Sequence, residues 1–187
     1  MLKVINGGKK PTKGSKYSAC IDLYANEDVV IGAGETVLVG LGIKIDLDKL
    51  RMTYYGKMAF EVKMNAETYN IYFPLMWEKF KKSHQLNLHI RSSMSAKHGL
   101  IIANGTGIID LDYENEIKIC LHNPITGICF DRCGNLVSKT IGERKLSKAY
   151  IKKGQPIAQI SLVEHKSYLF GVESKDERTG GFGSTDA

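Results

Sequence analysis

A short segment near the middle of the chain, Asn104-Gly105-Thr106-Gly107-Ile108-Ile109-Asp110-Leu111-Asp112-Tyr113, gathers residue types that can do chemistry on a small molecule. Two glycines beside an asparagine permit a tight hairpin turn. The Asn104 side chain and the backbone amides and carbonyls around Gly107 and Ile109 can read the edge of a flat heterocycle. Groups of that kind reject an analogue that lacks the matching hydrogen bond. Asp110 then emerges at the start of a strand, and Tyr113 can form the floor under a sugar ring. An ordinary structural hairpin uses the same residues, so on its own the segment leaves both readings open.

Two further segments suit anions. Arg91-Ser92-Ser93 follows the strand-like Leu88-His89-Ile90. A guanidinium beside two hydroxyls and their amides makes a cradle for phosphate or carboxylate. The same serines could instead cap a helix beginning near Met94. The C-terminal run Arg178-Thr179-Gly180-Gly181-Phe182-Gly183-Ser184-Thr185 sets one aromatic among glycines and hydroxyls. Such a run could wrap phosphates and stack Phe182 on a base, a contact worth roughly 1–3 kcal/mol; it also reads as a mobile terminus.

The elements that must position these residues are mostly strands. Val29-Val30-Ile31, Thr36-Val37-Leu38-Val39 and Ile43-Lys44-Ile45-Asp46-Leu47 are separated by glycine turns. Ile117 to His122 alternates apolar and polar residues, and Ile157 to Val163 follows the turn Lys152-Lys153-Gly154-Gln155. Short alternating strands between glycine turns predict an all-β sandwich, barrel or jelly roll. One segment departs from this: Leu75-Met76-Trp77-Glu78-Lys79-Phe80-Lys81-Lys82 after Pro74 predicts a short amphipathic helix.

The length of 187 residues suits one domain with a single core. No run of apolar residues is long enough for a membrane helix, and the start of the chain lacks a signal-peptide pattern, so a cytoplasmic protein is expected. The cysteines at 20, 120, 129 and 133 are too sparse for a disulfide scaffold and fit reduced thiols. The spacing of Cys129 and Cys133, with Cys120 and His122 on one strand face, does not supply a clean zinc set. A net charge of +6 suits a polyanionic partner, but no stripe of interleaved lysines and aromatics predicts specific nucleic-acid binding.

Taken in order, five segments resemble the motifs of the trimeric dUTPase family. They are Ala19-Cys20-Ile21-Asp22-Leu23, Arg91-Ser92-Ser93, Asn104 through Glu116, Gly154-Gln155-Pro156-Ile157-Ala158-Gln159, and Arg178 through Thr185. The resemblance spans nearly the whole chain and implies a distorted jelly-roll (β-clip) subunit, with a mobile C-terminal arm over about 174–187. It also implies a homotrimer with sites at subunit boundaries, Mg²⁺ as cofactor, and hydrolysis of dUTP to dUMP and pyrophosphate.

Carried onto this chain, the resemblance makes Asp110 the catalytic carboxylate. Asn104, Gly107, Ile109, Tyr113 and Phe182 would bind uracil and deoxyribose. Arg91, Ser92, Ser93, Gln159, Arg178, Gly183, Ser184 and Thr185 would bind phosphates, and Asp22 would reach the metal through water.

Several positions depart from the family pattern. Cys20-Ile21 stands where Gly-Tyr is usual, and Asn115 where glycine is usual, a site where Asn can take a positive φ. Arg178 and Phe182 are one residue closer than usual. Two insertions are expected, at about 50–86 and 124–150. Some phage dUTPases carry an extra segment at the second position, and some of those bind host regulatory proteins, so a phage origin and a regulatory partner are further expectations, beside the plain reading of surface loops. A related family of the same fold, dCTP deaminase, needs a glutamate three residues before Asn123, where this chain has Cys120.

Overall fold

The computed structural model describes residues 1–61, 66–124, 129–130, 136–137 and 148–172, and side chains among these outside 59–71, 129–130 and 136–137. In chain order the strands are β1 (Leu2–Val4), β2 (Thr12–Lys13), β3 (Ile21–Tyr24), β4 (Val29–Ile31), β5 (Thr36–Gly40) and β6 (Ile43–Ile45). Two helices follow, α1 (Leu47–Glu61) and α2 (Ala66–Ser83), then β7 (His84–Ile90) and α3 (Ser92–His98). The chain continues through β8 (Ile101–Ile102), β9 (Gly107–Asp110), β10 (Lys118–His122), β11 (Cys129–Phe130), β12 (Leu136–Val137), β13 (Ala149–Ile151) and β14 (Pro156–Glu164), and a 3-10 turn spans Ser167–Phe170.

The largest sheet runs β2-β3-β14-β7-β9, every pair antiparallel. A second, β5-β10-β8, lies apart from it, and two-stranded ribbons join β1 to β6 and β13 to β4. The mostly β architecture agrees with the expected fold class. Alternation decides which face is buried, because neighbouring residues on a strand point to opposite sides. Leu86, Leu88 and Ile160 turn inward from the large sheet, and Ile119, Leu121 and Val39 from the other. These meet Leu23, Ile31, Leu41, Ile43, Ile117, Ile151 and Ile157 in one core. Each such side chain contributes roughly 1.5–3 kcal/mol on burial.

The helical content exceeds the sequence expectation. Instead of one short helix at 75–82, two longer ones occupy the stretch between β6 and β7. Asp46, expected to lie in a strand, ends it and accepts the Lys49 N–H at 2.9 Å, which is an N-cap bond for α1. Pro74 lies inside α2 rather than before it. The interior proline costs about 3 kcal/mol. Burial of Phe73, Trp77 and Phe80 offsets it. Their rings interlock: Tyr54 lies 4.6 Å from Phe80, Tyr55 lies 5.1 Å from Phe73, and Trp77 stacks on Phe80 at 5.5 Å. Leu50, Trp77 and Phe80 belong to the main core, so the helix pair is packed onto the β body.

Candidate active site

Register brings the first, second and fourth segments together. Gln159 on β14 pairs with Asp22 on β3 at one side and with His89 on β7 at the other. Residues directly opposite share a face, so these side chains form a row on the outer surface of the sheet. Arg91 lies two residues beyond His89, just past the end of β7. Its N–H donates to the Ile157 carbonyl at 3.0 Å, which fixes the start of α3 against β14.

The Arg91 guanidinium sits 3.2 Å from Asp22 Oδ1, and Gln159 Nε2 donates to the same oxygen at 3.3 Å. The Asp22 side chain is 13% exposed and that of Arg91 29%. All three line a cavity of about 410 Å³ whose remaining wall is Gly14, Ser18, Ala19 and Cys20.

The helix that follows is capped differently from expectation. Arg91, not a serine, occupies the N-cap position, in extended conformation and with no side-chain cap bond. Ser92 and Ser93 therefore enter the first turn. Gly99, at φ +69°, ends the helix, and buried Met94 pins it to the core.

The third segment does not form the expected hairpin: β8 pairs with β10 and β9 with β7, in different sheets, so the turn at 103–106 links the two sheets and Asp110 ends a strand rather than starting one. Gly105 takes φ +72°, and the Thr106 N–H donates to the Asn104 carbonyl at 2.8 Å. Asn104 is exposed. Gly107 is buried opposite Leu88, where an added Cβ would come within 3.1 Å of the Leu88 Cβ. Ile109 packs on the core, and Asp110 ends β9, exposed and opposite Gln85. Tyr113 is half-buried; its N–H donates to the Asp110 carbonyl at 3.1 Å and its hydroxyl to the Glu116 carbonyl at 3.2 Å. Asn115 does not use a positive φ; among the described residues the non-glycine that does is Asn6, at φ +51°.

Glu116 is a positioning residue that sequence reasoning missed. Its Oε1 accepts the Gly42 N–H at 2.8 Å, tying the loop after Tyr113 to the β5–β6 turn. Gly40 lies so close that an added Cβ would approach Glu116 Oε1 to 2.8 Å. A glutamate three residues after a tyrosine carries no distinct signal; the paired glycines at 40 and 42 are the available hint. Gly14 and Ser18 in the cavity wall likewise carry no signal in the sequence, whereas Ala19 and Cys20 belong to the first motif segment.

The chain does not bring all the expected residues together. Asp110 pairs with Gln85 at one end of β7, whereas Arg91 lies beyond the other end. Six residues of strand separate those positions, roughly 20 Å at the usual rise. Within one chain Asp110 and the Asp22–Arg91–Gln159 cavity therefore lie well apart on the sheet. Arg178, Phe182, Gly183, Ser184 and Thr185 lie outside the described residues, as do the expected C-terminal arm and most of the second insertion.

Asn123, the position that the deaminase comparison depends on, is fully buried and donates to the Ile31 carbonyl at 3.1 Å. Cys20 and Cys120 are free thiols. Among the described residues no three acidic, histidine or cysteine side chains cluster as a metal cage, and no helix is long and apolar enough to cross a membrane.

No protein-family model matches the chain. Individual proteins do. The deoxyuridine 5'-triphosphate nucleotidohydrolase of Nautilia profundicola is 27% identical over 175 residues, 94% of this chain and 89% of that protein. The enzyme of the same name from Corynebacterium glutamicum is 30% identical over 148 residues, 75% of this chain and 77% of that one.

The solved dUTPase of Staphylococcus bacteriophage 80alpha superposes with a TM-score of 0.56 at 19% identity, covering 97% of both chains. A point variant of the dUTPase from phage phi11 of S. aureus, described as coordinating a structural Mg(II) ion, gives 0.55 at 18% identity, covering 98% of both chains. At that identity the solved structures establish a common fold. With the strand register carrying the motif segments and near-full-length sequence likeness beside it, the chain belongs to the deoxyuridine 5'-triphosphate nucleotidohydrolase family.

Proposed function

We propose that this protein hydrolyses dUTP to dUMP and pyrophosphate, in sites completed between copies of the chain. The observation that carries the reading is that strand β9, ending in Asp110, and a cavity holding Arg91 and Gln159 occupy separate places on one sheet. Family membership supplies the substrate.

In this reading Asn104 and the backbone at Gly107 and Ile109 accept and donate along the uracil edge. Cytosine presents the opposite pattern there and is rejected. Tyr113 lies under the deoxyribose, where a 2′-hydroxyl would collide with it. Its hydroxyl is held by the Glu116 carbonyl, which keeps the ring in one orientation. Asp110 orients a water and takes its proton as the oxygen attacks the α-phosphorus; the α–β bridging oxygen leaves with pyrophosphate. General-base help of this kind contributes roughly 10²–10⁴-fold.

Arg91, Ser92, Ser93 and Gln159 hold the phosphates. Ser92 and Ser93 support this because neither hydroxyl is used to cap α3. Arg178, Gly183, Ser184 and Thr185 add phosphate contacts from the tail, and Phe182 covers the base. These assignments follow the motif resemblance.

The donor set fits Mg²⁺ that arrives on the substrate. A hard cation chelated by phosphates and waters needs few protein ligands. Both donors to Asp22 converge on Oδ1. Oδ2 can then accept from a metal-bound water, so Asp22 is the residue that would hold the ion indirectly. Bound there, the ion would neutralise charge building on the phosphates.

Assembly into a homotrimer accounts for three features. The half-sites share one sheet face yet lie far apart along it. Ile108, between them on β9, is 61% exposed. Leu169, Phe170 and Val172, after β14, are exposed by 68, 82 and 84%. Exposed apolar side chains of this size suit association surfaces.

The test is a substrate panel with the purified chain and Mg²⁺. Pyrophosphate release from dUTP, with dCTP, dTTP and UTP left nearly untouched, is expected. Ammonia release from dCTP would instead establish a deaminase, and inertness toward dUTP would overturn the proposal.

A further inference from the structure

The cavity that holds Arg91 has a charge problem. Its guanidinium is already paired with Asp22 at 3.2 Å. Among the described lining residues no other cation is present. A triphosphate entering there would meet little net positive charge. Beside Asp22, Arg91 and Gln159, the wall is the loop from Gly14 to Cys20, of which Gly14 and Ser18 to Cys20 line the space. The tip between them, Ser15-Lys16-Tyr17, therefore stands on the rim.

That tip is built as a turn. The Ser15 N–H donates to Ser18 Oγ at 2.8 Å, the two serine hydroxyls are 3.0 Å apart, and the Ser18 N–H donates to the Ser15 carbonyl at 3.3 Å. Lys13, on β2, spends its ammonium on the Lys16 carbonyl at 3.0 Å and so latches the turn. The Lys16 ammonium has no carboxylate partner among the described residues; it lies 5.4 Å from the centroid of the Tyr17 ring. Tyr17 itself is 85% exposed among the described residues.

We propose that Lys16, carried on this turn and held over Tyr17, is a phosphate-binding residue of the site. It supplies the cation that the Asp22–Arg91 pair withholds, and it meets the outer phosphates of the bound polyphosphate. Lys13 is a positioning residue acting through the Lys16 carbonyl. The inference rests on reading the cavity as the phosphate half-site.

Steady-state kinetics of Lys16→Ala and Lys16→Arg, with inorganic pyrophosphate as inhibitor, tests it. Loss of one charge-assisted contact predicts a rise of about ten-fold in KM for dUTP, and a similar weakening of pyrophosphate inhibition, in Lys16→Ala. Lys16→Arg should keep most of both, and Lys57→Ala, on α1, should match the parent chain. An unchanged KM and inhibition constant in Lys16→Ala would overturn the assignment. So would an equal effect of Lys57→Ala, which would mean only long-range charge. Should the parent chain not turn over dUTP, the hydrolase reading fails by itself. Titration of inorganic tripolyphosphate into the full chain and into Lys16→Ala would still decide the role of Lys16, with weaker binding by the variant expected and equal binding contradicting it.

Discussion

At the scale of single residues, Asp110 carries the heaviest prediction. Replacing it with asparagine keeps size and most hydrogen bonds but removes the base. Turnover should fall by roughly 10²–10⁴-fold while affinity for a non-hydrolysable dUTP analogue changes little. Stopped assays beside calorimetry separate the two, and full activity of the variant would remove Asp110 from the mechanism.

A second prediction concerns Gly42, which sits at φ +62° with Gly8 pressed against it; an added Cβ would lie 2.5 Å from the Gly8 Cα. Gly42→Ala should therefore destabilise by at least about 2 kcal/mol, read as a lower denaturation midpoint.

Much at this scale is legible from residue types. Asp22, Arg91 and Gln159, far apart in sequence, do line one cavity. The Asp22–Arg91 ion pair is not legible, because nothing in either segment signals that β14 will bring them side by side. Asn115 misleads for a related reason. Asn can adopt a positive φ, but this loop is held by Tyr113 and Glu116 and does not require it.

At the scale of elements, alternation and glycine turns locate most strands, because each buries one face. The helix pair is longer than its sequence pattern suggests. Most of the buried side chains described in it are aromatic (Phe73, Trp77 and Phe80, beside Leu50), and Pro74 is normally a boundary signal. Tertiary packing overrides that signal, and Asp46 supplies a cap that its alternating neighbours conceal.

Trp77 is the chain's single tryptophan and belongs to the main core. Its fluorescence should therefore report unfolding at the same midpoint as the β-sheet circular dichroism. Separate transitions would show that the helices fold independently.

Alkaline stability follows from the same packing. Burial, with Tyr72 and Tyr55 close by, raises the Tyr54 phenol above its ordinary range. The unfolded chain releases that proton first. The contribution is fully present below about pH 10 and is lost as pH rises through the folded value. Tyr54→Phe should flatten the stability curve above pH 10 and leave it unchanged near neutrality.

At the scale of the whole molecule, the central claim is that no single chain holds a complete site. Strand register motivates it: Asp110 pairs with Gln85 near one end of β7, and Arg91 lies just past the other end. Sequence motifs give the order of the pieces but not the distances between them, so this separation becomes legible only from the register.

Mixing two inactive variants tests the claim most directly. Asp110→Asn and Arg91→Ala should each be nearly inactive alone. If sites combine Asp110 of one subunit with Arg91 of another, subunits exchanged at equal amounts should regain about a quarter of the parent activity. Confirmed exchange of subunits with no recovery, or a fully active monomer, would contradict the account.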